Sequence, residues 1–306
     1  MAKGRKRGRT LRALLKGYFV AFVFFLYGPT FCMFLLSFQG QKGSVNLPRG
    51  FFKYYFYKFI SLFGFDVSEE LSSRFVKGIH WGLYWWNMLF DSSRSGVMHQ
   101  ALFRSILLAL IVMVLTAFFS TTLAMAFRQK FKGAGLLFYA FMAGLMVPGL
   151  LLSLGVMLLF KMVGLKTECY FSGLGAQFIW TIPFGFLVMI AVFNRFERSL
   201  EEAAMDLGAD KWTTLKRVTL PIIAPGVLGA GLFGFTLSFD EFARTLLISG
   251  GGSTLPLHIY AIMMIQIEPI LYALGTATTV ISWIVIFIFL LAANKMAKRE
   301  KVKVSI

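Results

Sequence analysis

Residues 195–225 read RFERSLEEAAMDLGADKWTTLKRVTLPIIAP and interrupt a chain that is otherwise rich in long apolar runs. This stretch holds five of the 14 acidic residues of the protein. The apolar runs on both sides of it are too long and too poor in charge for soluble helices. We therefore predict a polar loop with helical structure of its own, lying in water between two membrane spans.

The first part of this loop has the residues of a short capped helix. Ser199 is placed to cap its N-terminus, because a serine oxygen accepts hydrogen bonds from the first free backbone amides of a helix. Glu201 and Glu202 follow, where the positive end of the helix dipole favours acids. Gly208 is expected to end the helix as its C-cap.

A second helical stretch is expected over residues 211–218. It should stop before Leu220-Pro221, since a residue that precedes proline is disfavoured in helical geometry. In the first helix the small side chains of Ala203 and Ala204 would let a partner protein approach the backbone closely. The loop is therefore predicted to dock another protein.

The spacing of these residues resembles the EAA loop of permease subunits of binding-protein-dependent ABC importers. The matching positions are Glu202, Ala203, Ala204, Gly208, Val218, Leu220 and Pro221. Val218 departs from the more usual isoleucine by one methylene. The resemblance implies a short coupling helix that sits in a cleft of the ATP-hydrolysing subunit, so these positions are the expected ATPase-docking residues.

The composition indicates an integral membrane protein, since 58% of the 306 residues are hydrophobic and the mean hydropathy is +0.72. The net charge of +17 points to the bilayer and not to nucleic acid, because the basic residues lie beside apolar runs. Cys32 and Cys169 are isolated, and the three histidines form no HExxH motif. No metal site, cofactor or disulfide framework is predicted.

The apolar runs predict an all-helical membrane protein with six transmembrane helices. The expected spans cover residues 17–38, 105–127, 136–160, 174–194, 222–249 and 271–293. Pro148-Gly149 is expected to kink the third span. Residues 39–98 form the longest polar interval, whose aromatic-rich part is expected either in the lipid headgroup region or packed on the protein. Residues 195–221 form the loop between the fourth and fifth spans.

The distribution of basic residues predicts how the chain is oriented across the membrane. Residues 1–16 carry seven lysines and arginines, the loop after the second span three, residues 195–221 five and residues 294–306 five. The opposite side has two in one short loop and seven spread over residues 39–98, where the bias counts less. Both termini and the loop at 195–221 are therefore expected in the cytoplasm, with the first span as an uncleaved signal anchor.

Three charged residues, Asp240, Glu241 and Arg244, lie in the predicted fifth span. Small residues recur at every fourth position of the same span: Gly226, Ala230 and Gly234. A helix with about 100° per residue would place Glu241 on this small-residue stripe, facing inward. One interpretation is an Asp240–Arg244 ion pair with a purely structural role. The other is that the excess carboxylate lies in the path of a cationic substrate.

Four further stretches resemble the spermidine/putrescine importer permeases, specifically the second of their two permease subunits. They are SFDEF at 238–242, TLPLHIY at 254–260, YWWNMLFD at 84–91 and ALFRSILLAL at 101–110. The resemblance implies a type I importer permease of a bacterial inner membrane that carries a polyamine. It also implies three partners: a dimer of ATP-binding subunits, a second permease subunit and a periplasmic substrate-binding protein.

Several alternatives stay open at this point. The same class of importer could carry another small substrate, such as a cation, an amino-acid derivative or ferric ion. A self-contained secondary transporter would need its own coupling-ion site and usually repeated halves, neither of which is visible. A membrane enzyme would need a cluster of catalytic side chains. The dipeptide Gly-Lys of a phosphate-binding loop never occurs, so ATP hydrolysis is expected in a separate subunit.

Overall fold

The computed structural model describes residues 2–38, 84–265 and 269–304, and within these ranges its regular structure is helical, without a strand. This confirms the predicted all-helical class. The helices are α1 (Ala2–Leu36), α2 (Tyr84–Phe90), α3 (Ser92–Phe127), α4 (Ala134–Leu145), α5 (Gly149–Met162), α6 (Leu174–Asn194), α7 (Ser199–Asp206), α8 (Lys211–Thr214), α9 (Leu220–Phe239), α10 (Leu255–Ile265) and α11 (Ile270–Val304). Most of the predicted 39–98 interval, with its aromatic-rich part, lies outside the described residues.

Five segments of the described chain are long and apolar enough to cross a membrane, and a bent helix pair could supply a sixth span. The five are Leu14–Leu36, Gly96–Phe127, Cys169–Asn194, Lys211–Phe239 and Ile270–Lys295. The bent pair is α4 with α5. The predicted number of six spans therefore agrees with the structure when this pair is counted as one span.

The third predicted span is not one kinked helix. The axes of α4 and α5 differ by 104° across the break between Leu145 and Gly149. Pro148 has an extended backbone, with φ −58° and ψ 133°, and it has no N–H to continue the ladder of α4. The predicted kink was correct in position, and the bend is large enough to divide the run into two helices.

The described chain divides into two compact units. The first comprises the residues up to Gly96 together with Ile262–Ile281. Here the end of α1 is held by Ser37, whose hydroxyl accepts a hydrogen bond from the Trp86 indole at 3.3 Å. The ring of Phe38 stacks on the same indole, with the ring centres 5.9 Å apart.

The second unit comprises Val97–Ala261 and Ser282–Ile306. Its core lies among α3, α6 and α9. The buried residues of this core are Ala124, Phe186, Met189, Phe193, Ile223 and Ala230. Two aromatic side chains of α3 and α6, Phe127 and Phe186, meet edge to face with their centres 4.9 Å apart.

A polar seam holds α3, α6 and α9 close together within this unit. The hydroxyls of Thr116 and Thr181 lie 2.7 Å apart, so one donates to the other. Gly185 and Gly234 face this seam, where an added Cβ would come within 2.8 Å of Ser120 Oγ and 2.9 Å of Thr116 respectively. Small residues thus allow close helix packing at Gly234, as the predicted stripe requires.

The path of the chain into and out of α9 differs from the prediction. The second helical stretch does not stop before Leu220-Pro221, because a π turn at Leu215–Thr219 joins α8 to α9 without a break. Pro221 follows the π turn directly, so the proline, which has no N–H to donate to the preceding turn, lies where the regular α-helical hydrogen bonds are already interrupted. At the other end α9 finishes at Phe239, well short of the predicted residue 249.

Candidate functional site

The docking loop, defined as residues 195–221, folds as two short helices joined by a tight turn. Gly208 follows α7 with φ +90°, the left-handed conformation that favours glycine, as expected for the residue that ends the helix. Its N–H donates to Met205 O at 2.9 Å, and the next N–H, of Ala209, donates to Ala204 O at 3.0 Å. The carbonyl groups at the end of α7 are thus satisfied within the loop.

The helix caps differ from the prediction. Ser199 is the first residue of α7, and the N-cap position is occupied by Arg198, so the proposed serine cap was wrong. A side-chain cap is present instead at Asp210, whose carboxylate accepts from Trp212 N at 3.2 Å and Thr213 N at 3.4 Å. Hydrogen bonds from Thr213 and from these backbone groups hold the pKa of Asp210 below its ordinary value.

The docking loop presents an outer surface that combines small, acidic and apolar residues. Four large apolar side chains have substantial exposure, namely Leu200, Met205, Leu207 at 90% and Trp212 at 60%. Glu202 and Ala203 are also exposed, and Ala204 is half-buried. Leu207 and Trp212 were not among the predicted docking residues, although a large apolar residue beside a turn glycine is visible in the sequence.

The remaining predicted docking residues lie where the loop enters α9. Val218 is half-buried in the π turn, whereas Leu220 and Pro221 are exposed on the first turn of α9. These residues therefore connect the loop to a membrane-spanning helix. The two exposed residues, Leu220 and Pro221, add to the outer surface, and Val218 is half-buried.

Glu201, the first acid of α7, is bound within the protein, unlike the exposed Glu202 that follows it. The Glu201 carboxylate accepts two hydrogen bonds from the Arg128 guanidinium, at 3.0 and 2.7 Å. It accepts a third from Thr219 Oγ1 at 2.6 Å. The hydrogen bonds with Arg128, more than any other interaction, hold the pKa of Glu201 below its ordinary value. Sequence reasoning missed this arrangement.

The predicted charged residues of the fifth span lie in a turn, not in a helix. We call residues 240–250 the charged turn. Because α9 ends at Phe239, the helical projection that placed Glu241 on the small-residue stripe does not apply. The Asp240–Arg244 ion pair was also wrong, since Arg244 Nη1 pairs with Glu241 Oε2 at 2.8 Å.

Arg244 is enclosed by its neighbours. Glu241 Oε1 accepts the Arg244 backbone N–H at 2.8 Å, so one carboxylate binds both ends of the residue. The guanidinium lies 3.4 Å from the centre of the Trp180 ring. Gly149 leaves room for it, because a Cβ there would come within 3.3 Å of the arginine side chain. The pair is buried, with 11% of the Arg244 and 7% of the Glu241 side chain exposed.

Asp240 stands apart from this pair. Its side chain is exposed, and no described residue forms an ion pair or a hydrogen bond with its carboxylate. Of the three predicted pathway residues, Glu241 and Arg244 therefore form a buried ion pair, and Asp240 is an exposed acid without a partner among the described residues.

The charged turn is held by hydrogen bonds from neighbouring segments. Ser153 on α5 accepts Leu247 N at 3.2 Å, and Ser172 donates to Ile248 O at 2.7 Å. In the described part of the chain, no group of three or more His, Cys, Asp or Glu side chains could hold a metal ion. The hydrogen bonds with Ser153 and Ser172 hold the turn that carries Asp240, Glu241 and Arg244.

Comparison with known proteins agrees with this arrangement. The fold is that of an ABC importer permease: a chain from the crystal structure of a bacterial ABC transporter involved in the import of the acidic polysaccharide alginate superposes with a TM-score of 0.64, at 17% identity, covering 97% of this chain and 98% of the other.

The family follows from the sequence. Residues 119–302 match the family model described as binding-protein-dependent transport system inner membrane component, and the chain belongs to this family. It is 28% identical to the spermidine/putrescine transport system permease protein PotC of Escherichia coli K12, over 81% of this chain and 92% of PotC. It is also 28% identical to the putrescine transport system permease protein PotI of the same strain, over 73% of this chain and 80% of PotI. The predicted resemblance is confirmed, and the chain is a multi-pass inner-membrane protein.

Proposed function

We propose that this chain is a membrane-spanning subunit of an ATP-driven importer that carries a polyamine, such as putrescine or spermidine, across a bacterial inner membrane. The observation that carries the proposal is the docking loop, a structured helical turn with an exposed apolar surface between two membrane helices. The names of the two relatives support the substrate class. ATP hydrolysis takes place in a separate subunit dimer.

The docking loop is the element that binds this ATPase. Leu207 and Trp212 supply large apolar surface, and aromatic side chains of this kind often dominate protein interfaces. Small residues at Ala203 and Ala204 allow close approach of the backbone, while the exposed Glu202 offers a charge that fixes orientation. With Gly208, Val218, Leu220 and Pro221 they form the proposed ATPase-docking set.

The charged turn lines the substrate pathway through Asp240. A polyamine carries at least two ammonium groups, and each must exchange its hydration shell for other polar partners in the membrane. Asp240 is open to such a group, whereas Glu241 and Arg244 neutralise one another. We therefore assign substrate attraction to Asp240 and a supporting role to the pair.

The complete importer contains three further components. A second permease subunit completes the pathway, a dimer of ATP-binding subunits drives it, and a periplasmic binding protein delivers the polyamine. The excess of basic residues at 1–16, 195–221 and 294–306 supports our proposal that both termini and the docking loop lie in the cytoplasm.

The test is uptake by the complete complex. The chain is expressed with a periplasmic binding protein, a second permease subunit and an ATP-binding subunit from the same organism, in a strain without polyamine import of its own. We expect uptake of radiolabelled putrescine or spermidine that needs ATP and the binding protein. If the assembled complex hydrolyses ATP but imports neither polyamine, the proposed substrate is wrong. If the ATPase does not co-purify with the chain, the proposed docking role is wrong.

A further inference from the structure

The Glu201 side chain points away from the exposed surface of the docking loop. It joins α7 to the end of α3 through Arg128, a residue 73 positions earlier in the chain. About a fifth of each side chain or less is exposed, 20% for Glu201 and 16% for Arg128. A carboxylate used only to meet an ATPase would be free on the outer face, as Glu202 is.

Arg128 is itself fixed from three sides. Its guanidinium lies 5.0 Å from the ring centres of both Phe193 and Phe196, at and just beyond the end of α6. Its backbone carbonyl accepts a hydrogen bond from Arg198 Nη2 at 2.5 Å. Aromatic faces attract a guanidinium and shield it from water, so this ion pair is stronger than an exposed one.

Thr219 connects the same Glu201 carboxylate to a second membrane helix, α9. Its hydroxyl donates to Glu201 at 2.6 Å, and it is the last residue of the π turn that leads into α9. The Thr219 side chain is buried. One carboxylate thus connects α7 with the ends of α3 and α6 and with the start of α9. A single π turn within a helix often marks a functional position.

We infer that Glu201, Arg128 and Thr219 form a latch that makes α7 move together with α3 and α9 when the ATPase moves the docking loop. The inference rests on the proposed function and deepens it. Glu202 and its neighbours bind the ATPase, whereas the latch passes the movement on to the membrane helices. Isolated surface ion pairs contribute little, but bidentate geometry, aromatic cover and a third hydrogen bond distinguish this one.

The first experiment measures coupling in the complete complex. Glu201→Gln removes the charge at nearly constant shape, and Glu201→Asp keeps it. Glu197→Gln is the matched control, because Glu197 is an exposed acid of the same loop whose carboxylate forms no hydrogen bond or ion pair among the described residues. We expect Glu201→Gln to assemble normally and hydrolyse ATP, but to import about tenfold less polyamine per ATP, within the usual range of coupling between sites. Glu201→Asp should recover part of the loss, and Glu197→Gln should resemble wild type.

The second experiment does not depend on the substrate. Spin labels at Lys130→Cys, after α3, and Lys211→Cys, on α8, report whether the two segments move together; both positions are exposed. Cys32 and Cys169 are first replaced by alanine. In the assembled complex we expect one narrow distance distribution, with and without ATP, that broadens in Glu201→Gln.

These outcomes separate the latch from the proposed function. An unchanged distance distribution in Glu201→Gln, or import that falls only in proportion to the amount of complex, would overturn the latch. A wild-type complex that imports no polyamine, yet shows the broadened distribution in Glu201→Gln, would refute the substrate and support the latch.

Discussion

Replacing Glu241 by glutamine should destabilise the protein more than it impairs the pathway. Glutamine has nearly the same shape and can still accept one hydrogen bond from Arg244, but it carries no charge. The Arg244 guanidinium cannot lose its proton and would stay charged with only 11% of its side chain exposed. Removing one partner of a buried ion pair costs about 3–5 kcal/mol. The remaining hydrogen bond and the Trp180 ring favour the lower end, about 3 kcal/mol.

Asp240→Asn is the matched comparison, because it makes the same chemical change at the neighbouring residue. The Asp240 side chain is exposed and unpaired among the described residues, so its stability should change by no more than about 0.5 kcal/mol. Its effect should appear in transport, since the carboxylate is the proposed contact for an ammonium group. Asp240→Glu should keep most of the uptake.

The assay compares yield of assembled complex, unfolding temperature and polyamine uptake per complex for both variants. Glu241→Gln should lose yield and thermal stability, and uptake only in proportion. A double variant, Glu241→Gln with Arg244→Met, should recover stability, because it also removes the buried positive charge that Glu241→Gln leaves without a partner. If Glu241→Gln kept its yield and unfolding temperature and lost uptake per complex, Glu241 would belong to the pathway and the reasoning from burial would be wrong.

Three further predictions concern the docking loop and the orientation. Gly208→Ala should weaken the loop by about 1 kcal/mol, because alanine disfavours the left-handed backbone at φ +90°, and hydrogen exchange at the end of α7 should accelerate; unchanged exchange would contradict it. A thiol at Gly251→Cys should react with an impermeant reagent from the periplasmic side and one at Lys211→Cys should not; the reverse pattern would invert the topology. Hydrogen bonds from Arg128 hold the Glu201 pKa below its ordinary value, so the stability that this pair contributes should be full above the ordinary pKa and be lost as the pH falls through the lowered one. The acid transition followed by tryptophan fluorescence should therefore shift in Glu201→Gln, and an unchanged transition would contradict this prediction.

Local signals in the sequence predicted much of the fold. Helix α6 coincides with the expected span at 174–194, because its limits follow from a long apolar run. Gly208 ends α7 in the expected conformation, since a left-handed residue after a helix is a local steric requirement. The docking loop was predicted for the same reason, with polar residues and helix signals between two apolar runs.

The misplaced features leave no clear mark in the apolar pattern of the sequence. An apolar run covers both α4 and α5, and composition gives no measure of the 104° bend between them. The end of α9 at Phe239 has no proline or glycine to mark it. There the Glu241 carboxylate accepts the Arg244 N–H, and a side chain that binds the backbone in this way competes with helix continuation. Sequence reasoning extended the helix and so paired Arg244 with the wrong acid.

The Glu241–Arg244 and Glu201–Arg128 pairs differ in the separation of their two residues along the chain. This difference explains why the sequence indicated a charged cluster at the first pair and did not indicate the second pair. Glu241 and Arg244 are three residues apart in one turn, so the pair moves as a unit and keeps its charges neutralised whatever the helices do. Glu201 and Arg128 are 73 residues apart on separate helices, so their hydrogen bonds depend on how those helices are placed. An interaction shifts a conformational equilibrium only when it differs between the two states. The local pair therefore suits a fixed supporting role, and the long-range pair suits the transmission of movement.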